Sequence, residues 1–243
     1  MLSVTNLTKK FGDFTAVDNL SFKVERGEVF GLLGENGAGK TTTLRMLATM
    51  LKPTSGTAVM GMYDINREPE KVRATIGILF GGETGLYDRL TAAENIEYFA
   101  ELNDMDRKSI KERIDFLAKS FGMEEYLNKR ASKLSKGMKQ KVAFARSIVH
   151  NPDIMLFDEP TSGLDVGAIR NVHDFILDCK EQGKTVVLSS HSMSEVEKLC
   201  DKVGIIHKGK LRDIGTIDEL KRKYENDSLE EIFVRLVGDV NES

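Results

Sequence analysis

Apolar and polar residues alternate with the two-residue period of a half-buried strand over residues 2–7 and again over 20–24. A turn at Glu25, Arg26 and Gly27 then leads into residues 28–33, which read as a buried strand and end in a glycine-rich loop, 34–39. Beyond the loop the period changes: Leu44, Leu47 and Ala48 recur at helical spacing across 40–50, and Pro53, Thr54, Ser55 and Gly56 close that helix with a turn. Residues 87–150 read as nearly all helix, with helices over 94–102 and 109–121 and a third starting after Leu134. Strands return at 154–157, 185–189 and 202–207, separated by helices over 167–182 and 194–200. Strands that alternate with helices predict an α/β protein with a parallel-sheet core, here preceded by an antiparallel N-terminal β region and interrupted by a helical insertion. The expected organisation is a main domain over 1–215, its helical subdomain inserted at about 84–150, and a C-terminal helical extension over 216–243.

Composition narrows the classes. The chain has 243 residues, 40% of them hydrophobic and 30% charged, with a net charge of -3. Its longest apolar stretches, such as 154–157 and 185–188, fall far short of the ~18 to 20 residues needed to cross a bilayer, so a complete membrane transporter is excluded. A slightly acidic balance gives no bulk attraction to nucleic acid, and no direct nucleic-acid partner is expected. Cys179 and Cys200 lack metal-ligand spacing and read as reduced structural thiols. Residues 1–5 enter strand-like sequence without a charged and then apolar leader, so a cytoplasmic location is expected.

Two segments carry chemistry. Gly34, Glu35, Asn36, Gly37, Ala38, Gly39, Lys40 and Thr41 fit G-x-x-x-x-G-K-[ST] between a buried strand and a helix. Glycines let backbone N–H groups turn inward around an anion, and the helix N-terminus adds partial positive charge. Lys40 would reach the β- and γ-phosphates, and the Thr41 hydroxyl would serve Mg²⁺. Asp158 and Glu159 follow the apolar run 154–157, at the C-terminal edge where parallel sheets bind ligands. Asp158 suits the Mg²⁺ shell, and Glu159 can take a proton from water attacking a γ-phosphate. Taken singly, Ser135 is an ordinary helix N-cap, Phe11 an ordinary hydrophobic residue and His191 an ordinary structural histidine.

The order changes that reading. A phosphate loop, a helical insert, the helix start Leu134-Ser135-Lys136-Gly137-Met138, then Asp158-Glu159-Pro160, Ser162-Gly163-Leu164-Asp165 and His191 together resemble the ATP-binding cassette (ABC) ATPase family. The resemblance runs from Phe11 to His191 and implies a P-loop NTPase fold with ATP and Mg²⁺ as ligands. By that likeness 34–41, with Thr42 beside it, is the Walker A loop, and Asp158 and Glu159 are the Walker B pair. Leu134 to Met138 resembles the signature motif, Leu164 and Asp165 the D-loop, and His191 the switch histidine; Phe11 stands where the family stacks an aromatic on adenine. The implied active unit is a homodimer, head to tail, in which Ser135 and Gly137 of each subunit cover the other's ATP.

Departures are local. Lys136 replaces the first glycine of the signature pair, where its charge opposes the helix dipole unless a partner's triphosphate offsets it. Phe80, Gly81, Gly82, Glu83, Thr84 and Gly85 contain no counterpart of the family's Q-loop glutamine, and Glu83 is the nearest side-chain oxygen. Residues 85–95 and 228–236 resemble ATPase subunits of ABC-2-type exporters, among them bacterial sodium-extrusion and multidrug-export ATPases. The expectation is therefore an ATPase subunit on the inner face of the membrane, driving a separate integral-membrane permease. The competing expectation is a cassette protein acting as a cytosolic assembly or nucleic-acid-associated scaffold.

Overall fold

The computed structural model describes residues 1–80 and 85–238. Strands β1 (Leu2–Phe11) and β2 (Phe14–Val24) form an antiparallel hairpin, followed by the short buried strand β3 (Val29–Leu33), helix α1 (Lys40–Leu47) and strands β4 (Ser55–Met60) and β5 (Tyr63–Asp64). After α2 (Pro69–Thr75) and β6 (Ile76–Leu79) come the helices of the insertion, α3 (Ala92–Glu101), α4 (Arg107–Phe121) and α5 (Lys136–Ser147). The chain returns through β7 (Ile154–Asp158), α6 (Val166–Glu181), β8 (Thr185–Ser190), α7 (Met193–Leu199), β9 (Lys202–His207) and β10 (Lys210–Thr216), and ends with α8 (Ile217–Tyr224) and α9 (Leu229–Gly238).

The strands make two sheets. One is antiparallel, in the order β2-β1-β4-β5; the other runs β10-β9-β3-β8-β7-β6, with β9, β3, β8, β7 and β6 parallel and β10 antiparallel at its edge. This is the P-loop fold that the sequence leads one to expect. The strand order decides where chemistry can occur, because β3, β8 and β7 are adjacent and their C-terminal ends deliver the phosphate loop, the segment before His191, and the Asp158–Glu159 pair to one edge.

Alternation along the central strands builds a core on each face. Val29 and Leu33 of β3 join Met155, Phe157, Val186 and Leu188 beneath α3, α4, α5 and α6, while Phe30 and Leu32 join Leu156 and Val187 against α1 and the antiparallel sheet. On the helical side Phe121, Phe144, Phe157 and Phe175 pack ring to ring, with centroids 4.8 to 5.5 Å apart. Gly31 admits the Cys200 thiol, since a Cβ there would sit 2.9 Å from Sγ. Both cysteines are free and buried, and burial pushes the Cys179 thiol up to about 12 and raises that of Cys200, as inert thiols require.

Local sequence sets the helix ends. Thr91 and Glu94 cap α3 reciprocally, Asp106 caps α4, and Thr216 and Glu219 cap α8. Several expectations needed correction. α1 stops at Leu47 rather than at residue 50, because Thr49 turns to a φ of 57°. β1 and β2 extend to Phe11 and back to Phe14 through register shifts at Val4/Leu7 and Leu7/Lys9, so bulges erase the two-residue period there. Short 3₁₀ turns at Glu124–Tyr126 and Ala131–Lys133 fill the stretch between the second and third helices expected over 87–150. β4, β5, α2, β6 and β10 had no sequence counterpart. The expectation for Glu83 falls outside the described residues, as do the last five positions of the C-terminal extension. Among the described residues no helix is long and apolar enough to cross a membrane.

Candidate functional site

The loop between β3 and α1 is shaped by backbone contacts that only glycine allows. A Cβ at Gly34 would lie 2.5 Å from the carbonyl oxygen of Ile206, and one at Gly39 would lie 2.6 Å from that of Ala16. Gly37 and Gly39 also have φ of 81° and 106°. Gly39 is the N-cap of α1 and among the described residues no side chain bonds the first-turn N–H groups, so the helix turns its positive end and these donors to the loop. Lys40 follows, only 4% exposed, its Nζ donating to the carbonyl oxygens of Gly34 (2.6 Å) and Glu35 (3.1 Å). Burial lowers the Lys40 pKa, opposed by Glu159, Asp158 and Glu35.

Facing the loop is the end of β7. Asp158 is buried, its Oδ2 accepting from the Thr41 hydroxyl at 2.8 Å and its Oδ1 from the Ser189 hydroxyl at 2.5 Å. Glu159 has a φ of 48°, a conformation that a non-glycine residue holds only when its surroundings fix it. Ser189 does so, accepting the Glu159 N–H both at its carbonyl oxygen (3.2 Å) and at its hydroxyl (3.1 Å). The Glu159 carboxylate is then 3.1 Å from His191 Nδ1, with the histidine ring largely open to solvent. Ser189 was not a sequence candidate. Its signal is the β7–β8 register, which sets it directly opposite Asp158.

A cleft of about 260 Å³ joins these groups, bounded by Glu35, Asn36, Gly37, Gly39, Lys40, Thr41 and Thr42 on the loop side, by Glu159, and by Phe11, Phe14 and Ala16 at its other end. Phe11 and Phe14 are 49% and 65% exposed and pair across the β1–β2 turn, a wasteful placement for core residues and a suitable one for stacking on a flat ligand. Phe14 was missed in the sequence, although an aromatic three positions from Phe11 across a hairpin turn is a readable signal. Ala38, by contrast, is buried and supports the loop from beneath. Behind the loop His207 is buried, its Nδ1 3.6 Å from Glu35 Oε2, and burial lowers its pKa.

Ser135 and Gly137 do not line this cleft. Ser135 caps α5, its Oγ accepting from the Met138 N–H at 3.3 Å, and Gly137 stands in the first turn. They gather instead with 163–165: Lys136 Nζ lies 3.4 Å from where a Gly163 Cβ would be, and Asp165 caps α6 through the Ala168 N–H. Lys136 thus rests against its own chain's Gly163.

The donor set fits Mg²⁺ with a nucleoside triphosphate. Thr41 and Asp158 supply adjacent hard oxygens, and Mg²⁺ ordinarily takes one or two protein ligands beside substrate phosphates and waters. Such a site needs no larger cluster, and among the described residues no three His, Cys, Asp or Glu side chains converge as a metal cage.

The ABC transporter family model matches residues 17–162. The chain belongs to the ABC transporter family. It is an ABC transporter ATPase, the ATP-binding subunit of such a transporter. The ABC ATPase is 47% identical over 238 residues to the ABC transporter ATP-binding protein NatA of Bacillus subtilis (strain 168), a match covering 96% of this chain and 97% of that one. It is 38% identical to the probable multidrug ABC transporter ATP-binding protein YbhF of Escherichia coli (strain K12), over 98% of this chain and 42% of that protein. A solved structure of the ATP-binding cassette MJ0796, dimeric in a post-hydrolysis state with ADP and Pi, superposes with a TM-score of 0.81 at 28% identity, over 89% of this chain and 98% of that one.

Proposed function

We propose that this ABC ATPase dimerises on ATP, head to tail, and drives export through a separate integral-membrane permease, from the cytoplasmic face of the membrane. The observation that carries the catalytic part is the Glu159–His191 pair, 3.1 Å apart, beside a cleft that also contains Lys40. Phe11 and Phe14 stack on the adenine. The loop N–H groups, Lys40 and Thr42 hold the phosphates. Thr41 and Asp158 would hold Mg²⁺, which when bound would neutralise phosphate charge. Glu159 takes a proton from water as its oxygen bonds to the γ-phosphorus, and the bond to the β–γ bridging oxygen breaks with its electron pair leaving on ADP. The His191 imidazole, bonded to Glu159 at Nδ1, presents its other nitrogen to the transferring phosphoryl group. Ser135 and Gly137, away from their own cleft, cover the ATP of the partner subunit with the N-terminus of α5. Export rather than uptake is supported by the multidrug name of the Escherichia coli relative, and the dimer by the MJ0796 structure.

Glu159→Gln is the test. The variant is expected to bind ATP normally while turnover falls by about 10² to 10⁴-fold, the usual contribution of a positioned general base. Size-exclusion chromatography with ATP and Mg²⁺ should then find a persistent dimer. A variant that stays monomeric, or hydrolyses at the parent rate, overturns the assignment, and recovery of the parent chain without any polytopic membrane protein from solubilised membranes overturns the permease.

A further inference from the structure

Behind the Glu159–His191 pair lies a second carboxylate to which this mechanism gives no role. Glu195, on α7, is only 6% exposed. Its Oε1 accepts from the Thr161 hydroxyl at 2.8 Å and lies 3.2 Å from His173 Nε2, while its Oε2 accepts from the Ser190 hydroxyl at 2.6 Å. The histidine's tautomer follows from its other neighbour. Lys198 Nζ, which can only donate, is 3.3 Å from His173 Nδ1, so Nδ1 accepts and Nε2–H donates to Glu195. A buried carboxylate is costly unless its oxygens are filled with donors, and here both are.

The partners on the two oxygens come from different strands. Thr161 follows Glu159 and Pro160 out of β7; Ser190 ends β8 and immediately precedes His191. Ser190 Oγ also accepts the Ser192 N–H at 3.0 Å, fixing the backbone on the far side of His191, and the Ser162 N–H donates to the Glu159 carbonyl at 3.1 Å. Each catalytic residue is therefore flanked by a hydroxyl that ends on the same carboxylate. The β7–β8 ladder ends at Asp158 and Ser189; beyond it the two segments are joined by the Glu159 N–H bonds to Ser189, by the Glu159–His191 contact itself and, behind that contact, by this carboxylate.

We propose that Glu195 is a positioning residue for ATP hydrolysis: by holding Thr161 with one oxygen and Ser190 with the other, it sets the separation of Glu159 and His191. The proposal rests on the assignment of those two residues as base and phosphate-facing histidine. Glu195→Gln keeps the shape but offers an amide where two hydroxyls and an imidazole N–H all need an acceptor. The expected result is turnover lower by about ten-fold, with ATP affinity within about two-fold of the parent, since the phosphate loop is untouched. The loss should disappear when Glu195→Gln is added to His191→Ala, because there is no longer a histidine to place. Thr161→Val and Ser190→Ala each remove one arm and should reproduce the loss; they carry the test if Glu195→Gln does not fold. Parent turnover in these variants, or a full further loss on the His191→Ala background with only a lowered melting temperature, would overturn the proposal. Parent turnover in Glu159→Gln and His191→Ala themselves would instead locate the error in the catalytic assignment.

Discussion

Ser189→Ala offers a quantitative check on the site, because one hydroxyl bonds both acids and removing it takes away very little volume. Ser189 is fully buried, and its Oγ donates to Asp158 at 2.5 Å while accepting the Glu159 N–H at 3.1 Å. The Glu159 N–H keeps its second acceptor, the Ser189 carbonyl, so that half of the arrangement survives the substitution. The Asp158 oxygen does not. A hydrogen bond to a charged group is worth about 1.5 to 3 kcal/mol, and loss of a single oxygen leaves no cavity of consequence. For a chain of 243 residues, where each kcal/mol moves the melting temperature by roughly 2 to 4 °C, the fall should be about 3 to 12 °C. Calorimetry or far-UV circular dichroism without nucleotide gives the number. Because Asp158 then orients less firmly toward Thr41, half-maximal ATPase activity should also need more Mg²⁺. A melting temperature within about a degree of the parent would refute the reasoning, since a buried carboxylate oxygen cannot lose its donor at no cost.

Gly39→Ala should abolish nucleotide binding, as its Cβ would lie 2.6 Å from the Ala16 oxygen at a φ of 106°, whereas Gly37→Ala meets nothing within 4 Å among the described residues and should cost about 1 to 2 kcal/mol of stability; equilibrium dialysis with labelled ATP and thermal melts compare the two. Phe11→Ala and Phe14→Ala should each weaken ATP binding by about five- to 100-fold, the stacking worth of one ring, and should leave inorganic triphosphate binding unchanged by competition assay. Burial holds His150 and His207 below their ordinary 6.5, so below that pH the unfolded chain takes up protons first. Their contribution to stability is complete above pH 6.5 and declines as pH falls toward the lower folded values, and His150→Gln with His207→Gln should flatten the dependence of melting temperature on pH across that interval.

The parts of this site that were legible in the sequence are those whose chemistry is contiguous. Residues 34–41 carry their own context of strand, glycines and helix, and Asp158 with Glu159 ends an apolar run, so period and motif together sufficed. Ser189 and Glu195 were not legible, because their importance comes from β7–β8 register and from a helix packing back on two strand ends; neither is a property of neighbouring residues. β5 and β6 are too short for a period to show, and the bulges in β1 shift faces midway, which is why the N-terminal strands looked shorter than they are. Phe11 was singled out through family likeness, and Phe14, three positions on, was readable as an aromatic across the same hairpin turn.

β3 is buried along its whole length and contributes residues to both cores. The helices of the insertion, for all that they form a separate stretch of chain, have their Ile96, Ile114, Leu117, Phe121 and Phe144 in the same cluster as Met155, Phe157, Val186 and Leu188 of the sheet. A fragment of residues 85–150 would expose that shared surface to water and has no complete core of its own. The insertion and the sheet should therefore unfold together, in a single transition whose amide exchange is slowest in β3, β7 and β8 and nearly as slow along the buried sides of α4 and α5. For anyone engineering the molecule, this means that the helical portion can be resurfaced on its outer side away from the N-terminus of α5 but cannot be transplanted without the strand it rests on.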